Sequence, residues 1–258
     1  MFTGQERIYN ELNIISRSLV ENPNQGSNLL FRAPSGYGKT ILSFIFCNSF
    51  DRGRYEYLLP DNNGNITIDV NKRTHILDEI HTCRNQEYLY PFMDTGNMVF
   101  VLTTNETGTL NEALQNRCIN LIFEEYTDEE LKRIVGNILS PYITNGDLYV
   151  PLIDYSRCPR ILVKLCQRLV FFFKNYAIPT TVEEVRRMLD VTVNIRDNMN
   201  EEQRRYVNFL TRVNNASIDA ISSSIGIDKA TIKRDIEPAL LYKNRIRITS
   251  RGRIINDD

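Results

Sequence analysis

FRAPSGYGKT, residues 31–40, is an apolar run that ends in a glycine-rich loop and a Lys-Thr pair, and it reads as a phosphate cradle. After a strand over 28–32, a loop carrying Gly36 and Gly38 can turn its backbone N–H groups inward around a polyphosphate, because glycine tolerates the dihedrals this demands. Ala33, Pro34, Ser35, Gly36, Tyr37 and Gly38 then form the cradle, and Lys39 reaches the β- and γ-phosphates. Thr40 holds Mg²⁺ through its hydroxyl, and a helix over 41–50, entered at Ile41, aims the positive end of its dipole at the anion. The pattern G-x-x-x-x-G-K-[ST] begins with glycine where this chain has Ala33, which predicts a slightly altered turn. The bland alternative is a chance GYGKT in a βα turn.

The bulk properties frame that loop without assigning it. A chain of 258 residues can hold one large domain or two to three small ones with real cores. The formal net charge is −1, so any nucleic-acid surface has to be a local cluster. No apolar run approaches the roughly 18 residues needed to span a bilayer, and no membrane partner is expected. Cys47, Cys83, Cys118, Cys158 and Cys166 form no C-x-x-C pair and have no histidine set nearby, which argues against zinc and disulfides. With no signal-peptide pattern over 1–10, a reducing cytoplasmic compartment is expected.

Two further strand ends face the cradle in sequence order. HILDEIH, residues 75–81, suits a buried parallel strand that carries Asp78 and Glu79 at its carboxyl end, where open α/β sheets bind ligands. Asp78 can hold Mg²⁺ through its water shell and Glu79 can take a proton from an attacking water, the two diverging because adjacent strand residues point to opposite sides. MVFVLTTN, residues 98–105, is a second buried strand ending in Asn105, which can orient the water or simply start a turn. A helix over 110–117 ends in Arg117, either a solvated rim residue or a finger offered to a neighbouring subunit's γ-phosphate.

Around this frame, Ile8, Leu12, Ile15 and Leu19 lay one apolar stripe along an opening helix. Thr127 and Glu130 form a capping box that opens a helix through Leu131 and Ile138. Residues 155–174 read as a buried helix with Phe171, Phe172 and Phe173 in a core, and 182–191 as another. A linker over 194–200 leads to a last module: helices over 201–213, 217–225 and 229–241, then strands over 246–249 and 253–255, the pattern of a winged helix. Its wing carries Lys243, Arg245, Arg247, Arg251 and Arg253 with no acidic residue between them, a DNA-binding surface or a solvated basic face.

In this order the parts resemble the AAA+ ATPases and, within them, the RuvB family of Holliday junction branch-migration motors, over nearly the whole chain. FTGQE at 2–6, APSGYGKT as Walker A, LDEIH as Walker B, LYPFMD at 89–94, TTNETGTLNEALQNRC, EYTDEELKRIV at 125–135, YSRCPRILVKLC and the closing DIEPALLYKNRIRITSRGRII carry the similarity. The resemblance implies an α/β P-loop AAA+ domain, a parallel sheet with flanking helices, over 1–124. An α-helical lid over 125–194 and a C-terminal winged helix over 195–258 would follow. It implies ATP and Mg²⁺ as cofactors, Asn105 at sensor 1, Arg160 as the sensor 2 arginine and Tyr126 near the adenine. It further implies Arg117 acting in trans within a ring, a hexamer, and Arg251 and Arg253 on the DNA backbone.

The chain also departs from that pattern. Only residues 95–98 stand where the family has its RuvA-docking hairpin, which argues against RuvA-type docking and leaves room for another adaptor. Sensor 1 is Asn rather than Thr, and Cys158 replaces the glycine before Pro159 and Arg160. A compact phage- or mobile-element-encoded relative would fit, working in the host cytoplasm. The expected function is an ATP-hydrolysing oligomeric motor on duplex or branched DNA. A clamp-loader-like or initiator-like switch is the alternative, and a non-hydrolysing winged-helix adaptor a third reading.

Overall fold

In the computed structural model, residues 2–105 and 109–256 are described; residues 106–108, inside the TTNETGTLNEALQNRC stretch, lie outside them, as do 1, 257 and 258. The chain divides into two compact units, 1–134 with 158–161, and 135–157 with 162–258. By contact, then, residues after 134 group with the winged helix, while the four residues at Arg160 group with the P-loop.

The first unit is built on five parallel strands, β1 (Ser27–Arg32), β2 (Glu56–Leu58), β3 (Thr74–Leu77), β4 (Val99–Thr104) and β5 (Ile119–Ile122), in the order β2-β3-β4-β1-β5. Central strands here are buried on both faces, which is why β1, β3 and β4 are near-continuous apolar runs. The pleat sorts them: Leu29, Phe31, Ile76, Val99 and Val101 join one core with helix α1 (Glu6–Glu21) and helix α2 (Lys39–Asp51). Leu30, Leu77, Phe100 and Leu102 join another with Leu89, just before α3 (Tyr90–Asp94), with Met93 of α3 and with Leu114 of α4 (Glu112–Asn116). Along α1 the buried positions are Ile8, Leu12, Ser16 and Leu19, a helical stripe in which Ser16 takes part and Ile15 lies at the margin.

Helix α5 (Asp128–Leu139) opens with the expected capping box, Thr127 N–H donating to Glu130 Oε2 at 2.8 Å and Glu130 N–H to Thr127 Oγ1 at 3.3 Å. The second unit continues with α6 (Val150–Tyr155), the greater part of α7 (Pro159–Phe173) and α8 (Val182–Val193). Phe171, Phe172 and Phe173 do not share one environment: Phe173 is buried and Phe171 is exposed. Successive helical residues turn by about 100°, so three in a row cannot all face one core.

The last module folds as α9 (Glu201–Val213), β6 (Asn215–Ala216), α10 (Ile218–Ile225), α11 (Lys229–Thr231), α12 (Glu237–Tyr242), β7 (Ile246–Thr249) and β8 (Gly252–Ile255), with sheet order β6-β8-β7. The short β6 completes the sheet beside the two wing strands read from sequence. The continuous helix expected over 229–241 is instead interrupted by a π segment, Ile232–Ile236, which ends two residues before Pro238. Proline lacks the N–H that the preceding turn would use and its ring crowds the i−4 carbonyl, so the helix widens to pass it. Among the described residues no helix is long and apolar enough to cross a membrane.

Candidate functional site

The loop after β1 has the shape its glycines require. Gly36 and Gly38 lie at φ +88° and +92°, where a side chain would be strained. An added Cβ would also fall 2.5 Å from Cys158 Sγ at Gly36 and 2.9 Å from the Phe2 ring at Gly38. Ala33 shows no such demand: it is absent from the left-handed region, its N–H donates to Thr104 O at 3.3 Å, and its methyl is buried in the core. An alanine there continues the β1–β4 pairing, so no altered turn follows from the missing glycine. Lys39 is only 5% exposed, and its Nζ donates to Ala33 O at 2.8 Å and Pro34 O at 3.2 Å. Burial lowers its proton affinity, Glu79 and Asp78 raise it, and Arg160 lowers it again. All three of those charges are therefore close enough to act on Lys39. Ile41, in the first turn of α2, is exposed.

The acid pair sits at the end of β3. Asp78 is 7% exposed and accepts from Thr40 Oγ1 at 3.0 Å and Tyr57 Oη at 2.8 Å, both on Oδ2, while Thr103 Oγ1 donates to Oδ1. Burial, and after it the hydrogen bond to Asp78, raises the Tyr57 phenol well above its usual range. β3 ends at Leu77, and Glu79 adopts φ +53°, so it diverges from Asp78 through a strained turn rather than through strand alternation. Its N–H donates to Thr103 Oγ1 at 3.3 Å, and its Oε2 lies 3.4 Å from His81 Nδ1.

The remaining expected positions vary in how they meet this centre. Arg160 Nη1 donates to Ser35 Oγ at 3.1 Å and its N–H to Gly36 O at 3.3 Å, placing it on the cradle. Tyr126 Oη donates to Tyr37 O at 2.9 Å, and the two rings meet edge to face at 5.7 Å. Asn105 lies just beyond β4, exposed, with no hydrogen bond to either acid; the strand's last buried side chains are Thr103 and Thr104. Arg117 is held within the chain, Nε and Nη2 on the Asp94 carboxylate at 2.9 and 3.1 Å with the guanidinium over the Tyr90 ring.

Sequence reasoning missed Tyr57, Thr103 and His81. The parallel register pairs Leu77 with Leu102, so Asp78 and Thr103 follow at the same level, but only strand adjacency reveals this.

In the winged helix the five wing cations separate. Arg245, Arg247 and Arg251 are exposed. Arg253 is a correction: its Nε donates to Glu237 Oε1 at 2.8 Å, and the two side chains are 15% and 5% exposed. Tyr206 Oη donates to the same carboxylate oxygen at 2.8 Å. Arg253 is thus spent inside the module, because the wing strand β8 carries it over the buried Glu237 rather than outward.

Lys243 is likewise turned inward, donating to Asn198 O with its Nζ 5.0 Å from the Tyr155 ring centre. Burial, and then the Arg245 charge, lowers the Lys243 ammonium to about 8 from the usual 10.5. Between those values the unfolded chain binds more protons than the folded one, so this group makes stability rise with pH through that window. We expect the urea midpoint of the wild-type chain to gain on that of Lys243→Met from pH 8 to pH 10; a constant difference would contradict this.

These features define the class of protein: an AAA+ P-loop fold with a C-terminal winged helix. Residues 198–258 match the model of the RuvB C-terminal winged helix domain. Along its length the chain resembles RuvB. It is 22% identical to the Holliday junction branch migration complex subunit RuvB of Mycoplasma genitalium, over 99% of this chain and 93% of the relative. Against the subunit of the same name from Ehrlichia chaffeensis the identity is 26%, over 99% and 88%. Among solved structures, the Thermotoga maritima RuvB Holliday junction branch migration motor superposes with a TM-score of 0.78 at 23% identity, covering 99% of this chain and 93% of that one; this likeness carries the fold.

Proposed function

We propose that the chain is an ATP-hydrolysing DNA motor of RuvB type that works as a ring of copies on duplex or branched DNA. The observation that carries this reading is the convergence of Lys39, Thr40, Asp78, Glu79 and Arg160 on one glycine cradle within one compact unit. A site that held nucleotide only as a structural ligand would have no chemical need for Glu79. The cradle fits a triphosphate: Gly36 and Gly38 take the positive-φ dihedrals of a tightly turned loop, Lys39 supplies a buried cation, and α2 begins at the loop. The hydroxyl of Thr40 and the carboxylate of Asp78, hydrogen-bonded to each other, are a hard-oxygen pair that suits Mg²⁺. When bound, Mg²⁺–ATP supplies the phosphoryl group and neutralises its charge. Glu79 then orients the water and accepts its proton, and Arg160 reads the γ-phosphate from the cradle's rim. A role for Arg117 toward a neighbour requires its pair with Asp94 to open.

Only the residues between α3 and β4 stand where a docking hairpin would be, and Gly26 N–H and Ser27 N–H already bond Gly96 O and Met98 O. RuvA-type docking is therefore no part of the proposal. Mass in solution with a slowly hydrolysed ATP analogue, with and without a four-way junction, tests the ring and its substrate together. A chain that stays monomeric and turns over ATP at a rate indifferent to DNA would sink the reading.

For DNA contact the proposal keeps Arg245, Arg247 and Arg251. Each Arg→Ala change is expected to weaken binding about equally across sequences and to reduce the log–log salt slope by about 1. A sequence-dependent loss, or an unchanged slope, would count against a backbone contact.

A further inference from the structure

The acid pair is flanked by a group that the proposed chemistry does not use. His81 is the middle residue of the short 3-10 turn Ile80–Thr82 that follows Glu79, and its side chain is only 11% exposed. Its Nδ1 faces two oxygens at once, Glu79 Oε2 at 3.4 Å and Thr104 Oγ1 at 3.3 Å. A carboxylate oxygen accepts, so a hydrogen bond to Glu79 requires the tautomer that carries its proton on Nδ1, a proton that Thr104 Oγ1 is also placed to accept. The other oxygen, Glu79 Oε1, has no hydrogen-bond partner among the described residues. Thr103, one residue earlier on β4, does the corresponding service for Asp78 and for the Glu79 N–H.

We propose that His81 is a positioning residue that holds Glu79 by one oxygen and anchors it to the end of β4, leaving the second oxygen for the attacking water. This rests on the reading of Glu79 as the proton acceptor. The consequence is that each acid of the pair is held from β4 by its own threonine, Asp78 directly by Thr103 and Glu79 through His81 by Thr104. Movement of the β4 end would therefore reorient the two acids together, and it would be felt at the cradle through the Ala33 N–H bond to Thr104 O. The strained φ of Glu79 fits such a tether, because a residue in a sparsely populated backbone region persists only where its surroundings hold it.

The chain has two histidines, so both imidazoles can be followed in one ¹⁵N-resolved side-chain spectrum of the full-length protein. His75, locked between Glu56 Oε2 and Lys72 O at 3.1 and 3.0 Å, is an internal reference. Glu79→Gln and Thr104→Val are each expected to shift the His81 ring nitrogens and to leave those of His75 in place. In turnover assays His81→Ala is expected to lower kcat roughly tenfold with KM for ATP changed by less than about twofold. His81→Asn, whose amide can donate from nearly the position of Nδ1, should restore at least about half of the wild-type kcat if the tether is the cause. Unmoved His81 signals in both variants would overturn the proposal. So would a loss in His81→Asn equal to that in His81→Ala. If the wild-type chain does not hydrolyse ATP, the reading of the protein as a motor fails, while the ring spectra still decide whether His81 holds Glu79.

Discussion

Glu79→Gln is expected to lower ATP turnover about 10²- to 10⁴-fold while nucleotide still binds within about threefold of the wild-type affinity. The substitution keeps size and shape and removes only the charge and the ability to take a proton. Everything proposed to hold nucleotide lies elsewhere: Lys39 on the cradle, the two left-handed glycines, and Thr40 bonded to Asp78. Backbone strain does not change, since Gln meets the same penalty at φ +53° as Glu. Lys39→Ala gives the contrasting result, because it removes the buried cation itself and should abolish binding together with turnover. Titration with a fluorescent nucleotide, followed by single-turnover hydrolysis on the same samples, separates the two. Turnover in Glu79→Gln above about one third of wild type would remove Glu79 from the chemistry.

The second large effect lies in the winged helix. Arg253→Met is expected to destabilise the C-terminal module by about 3 kcal/mol, because it leaves the Glu237 carboxylate buried with only the Tyr206 hydroxyl for company. Breaking one partner of a buried pair is costly, whereas replacing both with neutral groups is often tolerated. Arg253→Met combined with Glu237→Gln should therefore recover much of the loss. Arg251→Ala, at an exposed position two residues away, should change stability by less than about 0.5 kcal/mol. Hydrogen exchange along α9 and β8 in the full chain reads this directly, since Tyr206 and Arg253 tie those two elements to Glu237. Unchanged protection in Arg253→Met would show that the pair is not structural. Loss of DNA binding in this variant would then be the sign of direct contact instead of partial unfolding.

Much of this was legible from local signals, for identifiable reasons. Glycines spaced for a left-handed loop, a capping box at Thr127 and Glu130, and apolar runs long enough for two-sided burial all act within a few residues of one another. The chain order of Lys39, Thr40, Asp78 and Glu79 likewise needs no long-range information, because each sits at the end of an element that the pattern itself delimits. Ala33 misled in the opposite direction. Its departure from the motif looked like a changed turn, yet the backbone there is ordinary and asks for no glycine.

What the tertiary structure alone decided depends on residues brought together from different elements. Five wing cations look equivalent in sequence; burial over Glu237 and beneath Tyr155 withdraws Arg253 and Lys243 and leaves Arg245, Arg247 and Arg251 on the surface. Tyr57 and Thr103 carry no motif, and they reach Asp78 only because β3 lies between β2 and β4 with Leu77 level with Leu102; His81 meets Glu79 through a local turn, but it meets Thr104 through that same pairing. The amino-acid sequence by itself determined the cradle, the acid pair and the winged-helix pattern, since these are properties of short-range spacing. Strand order and burial decided which hydroxyls hold the acids and which cations remain free, because both are set by contacts between elements far apart in the chain.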